Sequence, residues 1–146
     1  MHLFGSYSHN TDAKLRLTLP SIFRKEFDEK VVLVKVPSED CIYGFSPKGF
    51  ESWVDSLFPN GFNQRDKKQA HLRRIINARA VYLDIDSAGR IALSKMEERD
   101  LEILHGRAVT IVGNEDHFEV WDAKTFAAVE EEISDEEFES LFYDAD

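Results

Sequence analysis

Asp12–Phe27 reads DAKLRLTLPSIFRKEF, and Asp86–Leu101 reads DSAGRIALSKMEERDL. At an offset of 74 the two stretches share an aspartate, three intervening residues, an arginine, alternating apolar residues and a short polar segment. The likeness continues downstream: VVLVKVPSEDCIYGFSPKGFESWV from Val31 pairs with AVTIVGNEDHFEVWDAKTFAAV from Ala108 at offsets of 77 and then 76. Phe45 thereby matches Trp121, and Phe50 matches Phe126. The chain is an internal duplication, and its fold has to be read as two copies of one unit.

Each copy predicts a strand, a short helix, two further strands and a second helix. In the first strand Leu15, Leu17 and Leu19 alternate with Arg16 and Thr18, which gives one apolar face and turns Arg16 outward. Ile91 and Leu93 take the same face in the second copy, with Arg90 and Ala92 opposite. Pro20 ends the first strand, and Ser94 with Glu97 reads as a capping box for the short helix of the second copy. Val31–Val36 and Ala108–Val112 are β-branched runs whose hairpin partners are Cys41–Phe45 and His117–Trp121, across the acidic loops PSED and GNED.

Ser46-Pro47 opens a helix that carries Phe50, Trp53, Val54, Leu57 and Phe58 on a core-facing side. The basic stretch Gln64–Ala80, with Leu72, Ile75 and Ile76 on one side, predicts an amphipathic helix linking the copies. A unit of about 50 residues is too small to bury an adequate core alone, so the copies are expected to wrap together into one barrel-like pseudo-dimer. The last segment carries a capping box, Ser134 with Glu137, and sparse apolar contacts from Ile133, Phe138, Leu141 and Phe142, which predicts a marginal, partly mobile helix.

The 146 residues carry 18 Lys+Arg against 28 Asp+Glu, a net charge of −10. Nine of those acids lie in 130–146 with no base among them, so the remaining body is nearly neutral. Within it, residues 13–25 hold Lys14, Arg16, Arg24 and Lys25 without an acid. A second basic segment, Arg65–Arg79, carries Asp66 as its single acid and reads as a solvated face.

No apolar run has the length of a membrane span, and the first residues lack the apolar stretch of a signal peptide, which predicts a cytoplasmic protein. The single Cys41 reads as a core residue. DIDSAGRIALSK from Asp84 imitates a calcium loop, but Ala88 and Lys95 stand where ligands are needed. The five histidines show no metal-ligand spacing, and neither a nucleophile elbow nor a phosphate-cradling glycine loop is found. No metal, no cofactor and no enzymatic activity are expected.

The doubled Asp-x-x-x-Arg motif, Asp12 to Arg16 and Asp86 to Arg90, together with DAKLRLTLPSIFR and FEVWD, resembles the MraZ family over nearly the whole chain to about residue 130. The resemblance implies an α+β, largely β fold of the AbrB-like swapped-hairpin superfamily, with two halves forming a pseudo-dimeric double-split β-barrel with short helices. The repeats would span 1–60 and 81–130, joined by a basic helix at 61–80 and followed by an acidic tail at 131–146.

It further implies a sequence-specific DNA-binding transcriptional regulator of the cytoplasm and nucleoid. Such a protein forms a homo-oligomeric ring and binds short direct repeats in the promoter of its own division and cell wall gene cluster. The family's DNA contacts fall on Lys14, Arg16 and Arg90, with Asp12 and Asp86 organising the loops.

A guanidinium can grip a guanine edge with two hydrogen bonds, and an Asp four residues earlier can accept from turn amides or orient it. Arg24 and Lys25 read as phosphate contacts that set position without choosing sequence. The family's usual glycine is replaced by Leu15 in the first motif, so that loop is expected to differ in backbone or to continue the strand. Ala88 stands where the first motif has Lys14, which makes the first copy the stronger DNA arm and the second partly structural. The acidic tail would lower nonspecific DNA binding. The rival reading is an oligomeric protein-interaction scaffold without specific DNA binding.

Overall fold

The structure, a computed structural model, describes residues 1–143; the last three residues of the acidic tail lie outside it. Each repeat supplies four strands. The first gives β1 (Ser6–Asn10), β2 (Arg16–Thr18), β3 (Lys30–Lys35) and β4 (Cys41–Phe45); the second gives β5 (Val81–Asp84), β6 (Arg90–Ala92), β7 (Ala108–Gly113) and β8 (Phe118–Asp122). Six form one antiparallel sheet in the order β1-β7-β8-β4-β3-β5, and β2 pairs with β6 apart from it.

The order reads the same when the repeats are exchanged, and the register confirms a pseudo-two-fold relation. Leu17 faces Ile91 at the centre of the β2–β6 pair, and Tyr43 faces Glu119 in the β4–β8 pair. Both are positions that the sequence offsets make equivalent. The first strand of each copy pairs with the other copy, β1 with β7 and β5 with β3, so neither half is complete alone. The pairings among the described residues are a six-stranded sheet and a two-stranded one, without the closed barrel expected from sequence.

One core joins both copies: Leu17, Leu19, Phe23, Val31 and Leu33 meet Ile91, Leu93, Ile111, Phe118 and Val120, with little or no exposure. Leu3 is held in it by reciprocal backbone hydrogen bonds to Glu115 of the other copy's hairpin. A smaller cluster on Val32, Val34 and Phe45 is covered by α2 (Pro47–Ser56) through Phe50 and Val54, whereas Leu57 turns to solvent. Ser46 caps α2 by accepting from the Gly49 amide at 3.1 Å, as the Ser-Pro pair predicts. Cys41 is buried, and burial raises its thiol pKa far above the ordinary value.

Two local expectations change and a third holds. The linking helix, α3 (Lys67–Arg79), starts at an Asp66 cap and buries no residue, with Leu72 and Ile75 left exposed. Ser94 lies inside a 3-10 turn, Leu93–Lys95, and Glu97 precedes the four-residue α4 (Glu98–Leu101) without a side-chain cap, so no capping box forms there. The tail does form one: the Glu137 amide donates to Ser134 Oγ and the Ser134 amide to Glu137 Oε1, opening α6 (Asp135–Tyr143) after α5 (Ala123–Glu132).

The second copy also buries a polar cluster. His117 Nε2 lies 2.9 Å from Glu119 Oε2 and its Nδ1 2.7 Å from Asp116 Oδ1, while Trp121 Nε1 and Asn114 Nδ2 donate to Glu119. Tyr43 stacks on the imidazole, and burial pushes its phenol up to about 12. Burial opposes the imidazolium, but the hydrogen bonds and charges of Glu119 and Asp116 outweigh it and raise the His117 pKa above 6.5. Burial likewise opposes the Glu119 carboxylate, yet His117, Trp121 and Asn114 hold its pKa below 4.5.

The raised histidine stabilises fully below pH 6.5 and stops as pH rises through its folded value; the lowered glutamate stabilises fully above pH 4.5 and stops as pH falls through its own. The stability lost in His117→Gln, read from urea unfolding across pH, should therefore peak between these two values and shrink on both sides. A difference independent of pH would mean that the ion pair contributes nothing.

Candidate nucleic-acid interface

Two loops lead into the central β2–β6 pair, and their aspartates build the same turn twice. Asp12 Oδ1 accepts from the Lys14 and Arg16 amides at 2.9 and 2.8 Å, and its Oδ2 accepts from Arg16 Nε at 2.6 Å. Asp86 Oδ1 accepts from the Ala88 and Arg90 amides at 2.9 and 2.8 Å, and its Oδ2 from Arg90 Nε at 2.8 Å. One carboxylate thus folds the turn and fixes the arginine that follows it. The Arg16 and Arg90 amides are the leading cause that lowers the pKa of Asp12 and Asp86 below 3.8, with the guanidinium bonds adding to it against desolvation. The stability they contribute is complete above pH 3.8 and disappears as pH falls through the lower folded values.

Each turn needs a left-handed residue. Gly89 fills that place with φ +80°, and Leu15 fills it in the first loop with φ +57°. The expectation that Leu15 would force a different backbone or extend the strand is therefore corrected. The aspartate's three hydrogen bonds and the bond from the Leu15 amide to the Asp12 carbonyl impose the turn on a residue that resists it. Leu15 consequently leaves the apolar face and is partly exposed, while Leu17 and Leu19 stay buried.

A left-handed leucine costs about 1–2 kcal/mol. Leu15→Gly should raise unfolding stability by roughly 1 kcal/mol, part of the relief being offset by the entropy of glycine. A loss of stability in urea titration would show that the leucine side chain contributes more than its backbone costs.

The loops are locked to each other. The Leu19 amide donates to the Gly89 carbonyl at 2.9 Å, and the Leu93 amide donates to the Leu15 carbonyl at 2.9 Å. In the register Arg16 faces Ala92 and Thr18 faces Arg90, so both arginines lie on the side of the pair opposite buried Leu17 and Ile91. They occupy diagonal positions, roughly 7–8 Å apart in an antiparallel ladder. Both side chains face outward as the alternation predicts and are about one-third exposed, because each lies against its aspartate. Only Nε is engaged; among the described residues the terminal amines of Arg16 and Arg90 make no hydrogen bond. Each guanidinium is aimed by its inner edge and keeps its outer, two-pronged edge available.

Lys14 is exposed at the tip of the first loop. Arg24, in α1 (Ser21–Arg24) of the first copy, reaches the second copy's loop: its Nη2 donates weakly to the Ser87 carbonyl at 3.5 Å. Its guanidinium lies so close over Gly89 that a Cβ there would come within 2.4–2.5 Å of it. Glycine suits the left-handed backbone of this turn without the strain that Leu15 bears, and a side chain here would make the flexible Arg24 guanidinium shift from its seat. Arg24 and Lys25 line one side of a groove of about 550 Å³, with Asp86 and Ser87 on the other.

Copy two, which lacks a counterpart of Lys14, receives a cation from copy one; sequence reading missed this contact because it crosses between repeats. Among the described residues no group of three or more His, Cys, Asp or Glu could hold a metal, and no helix is long and apolar enough to cross a membrane.

Comparison with known proteins gives the family. The model of the family described as "MraZ protein, putative antitoxin-like" matches twice in tandem, over residues 3–74 and 76–145. The chain is 34% identical over 142 residues to the transcriptional regulator MraZ of Corynebacterium jeikeium, covering 94% of this chain and 96% of that one. It is 31% identical over 126 residues to the protein of the same name from Spiroplasma kunkelii, covering 86% and 85%. For that of Mesoplasma florum the figures are 30% over 136 residues, covering 92% and 90%. With the duplicated turn, the exchanged strands and these matches along both repeats, the chain belongs to the MraZ family.

Proposed function

We propose that this chain is a sequence-specific DNA-binding transcriptional regulator of the cytoplasm and nucleoid. Arg16 and Arg90 read base edges and Lys14 assists at the loop tip. Arg24 and Lys25 contact phosphate, and Asp12 and Asp86 organise the loops. The observation that carries this reading is the pair of identical Asp–Arg turns fastened side by side, each presenting the free edge of a guanidinium on one face. The repeats, 1–60 and 81–130, act as the two halves of a swapped-hairpin pseudo-dimer, which the strand exchange supports. The linker at 61–80 joins them, and the tail from 131 lowers binding to non-cognate DNA.

Several copies close into a homo-oligomeric ring, whose loops engage short direct repeats in the promoter of the protein's own division and cell wall gene cluster. One pair of loops makes few contacts, so repetition supplies the affinity, and linked sites gain about 10²-fold or more over one. Electrophoretic mobility shift with one repeat against several in register should show that gain; equal affinity for both would reject the repeat mechanism. Arg24→Ala should weaken binding to promoter and scrambled DNA alike and reduce the salt slope by about 1 per site, as a phosphate contact does. A loss confined to the promoter would make Arg24 a base reader.

A further inference from the structure

The helix that follows each half carries charge of one sign and an exposed apolar stripe. α3 contains Lys67, Lys68, Arg73, Arg74 and Arg79 with no acid, whereas α6 contains Asp135, Glu136, Glu137 and Glu139 with no base. Among the described residues neither helix has a fully buried side chain. On α3, Lys68, Leu72, Ile75 and Arg79 recur at one helical face, and the leucine and isoleucine are 45% and 46% exposed. The adjacent face is the anchored one: Ile76 packs toward the smaller core, and the Arg73 guanidinium lies 4.3 Å over the Phe62 ring. On α6, Phe138, Leu141 and Phe142 share a face and are 59%, 78% and 64% exposed, bordered by Asp135 and Glu139. Apolar stripes of this kind, rimmed by charge, mark interaction surfaces.

We infer that the acidic helix α6 of one subunit docks on the basic helix α3 of the next copy, stripe against stripe, with the opposite charges paired along the borders. Charge selects this pairing, since α3 on α3 would oppose bases to bases and α6 on α6 acids to acids. Topology places the partner in another copy. α5, which leads into α6, packs on β7 and β8, whereas α3 leads into β5 at the far edge, beyond β4 and β3. A contact between two different surfaces is head-to-tail, and it propagates until rotation closes it into a ring. This inference rests on the homo-oligomer reading and assigns it a surface.

Sedimentation of full-length chains at micromolar concentration tests it with two exposed-site variants, Ile75→Asp on α3 and Phe142→Asp on α6. Each alone should fall to monomer with unchanged circular dichroism. Mixed, they should form a one-to-one dimer of twice the protomer mass, because the intact α6 of the first still meets the intact α3 of the second. Wild-type assembly that survives in both variants would overturn the α3–α6 contact and leave the oligomer reading standing. A mixture that stays monomeric would overturn the head-to-tail pairing, and a monomeric wild type would overturn both.

Discussion

On the proposed function, replacing Arg16 by alanine should abolish most of the preference for promoter DNA. A two-pronged guanidinium contact with a guanine is worth about 1–3 kcal/mol of discrimination, roughly 5- to 150-fold in affinity at each loop, and a repeated site multiplies the loss. The effect should be one of recognition rather than of fold. Asp12 keeps its bonds to the Lys14 and Arg16 amides in the variant, because those donors are backbone, so the turn persists. Arg16→Lys should not restore the preference, since an ammonium cannot hold Asp12 through an inner donor and present two more in the same plane. Binding to scrambled DNA should fall much less. An Arg16→Ala protein that still discriminates would move base reading elsewhere.

The largest expected effect on stability lies where Phe118 of the second repeat packs over Gly44 of the first. Phe118 is fully buried, with its ring 6.3 Å from Phe23 and 5.7 Å from Phe27, and it sits across the ladder from Gly44. A Cβ at residue 44 would come within 2.2–2.6 Å of the Phe118 ring carbons. Phe118→Ala should therefore cost about 3–5 kcal/mol through lost burial and a cavity. Gly44→Ala should cost about 1–3 kcal/mol because the ring it strikes is wedged in the core. The double variant should cost less than the two losses added, since the methyl group introduced at residue 44 enters space the ring has left. Urea unfolding of the four proteins measures this; strict additivity would show that Gly44 and Phe118 do not share one packed volume.

The duplication was legible because its carriers are chemically insistent: an aspartate and an arginine four apart, followed by strict apolar alternation, at residues 12–19 and again at 86–93. The hairpins β3–β4 and β7–β8 were legible in their β-branched runs, and the cap of α2 in the Ser46-Pro47 pair. β1 was not legible. SYSHN has no apolar alternation, and it is a strand because its backbone completes β7 of the other repeat. Leu15 was misread because intrinsic preference and apolar period both favour an extended residue there, and both lose to the Asp12 side chain.

The aspartate–arginine pairs of the site were visible in sequence. The seat of Arg24 over Gly89 was not, because it exists only once the strands have exchanged between copies. In sequence α3 reads as an amphipathic linker, and in the structure its Leu72 and Ile75 are left exposed among the described residues.

The central claim is that the two fastened Asp–Arg turns recognise DNA sequence. Fluorescence anisotropy at about physiological salt, where affinities can be compared, should set the wild-type protein and an Arg16→Ala/Arg90→Ala variant against labelled DNA from upstream of the protein's own gene and against a scrambled duplex. Strong preference for the upstream DNA in the wild type, and its disappearance in a variant that remains folded, is the predicted result. A wild type that binds both duplexes equally, or a variant that keeps the preference, would contradict it.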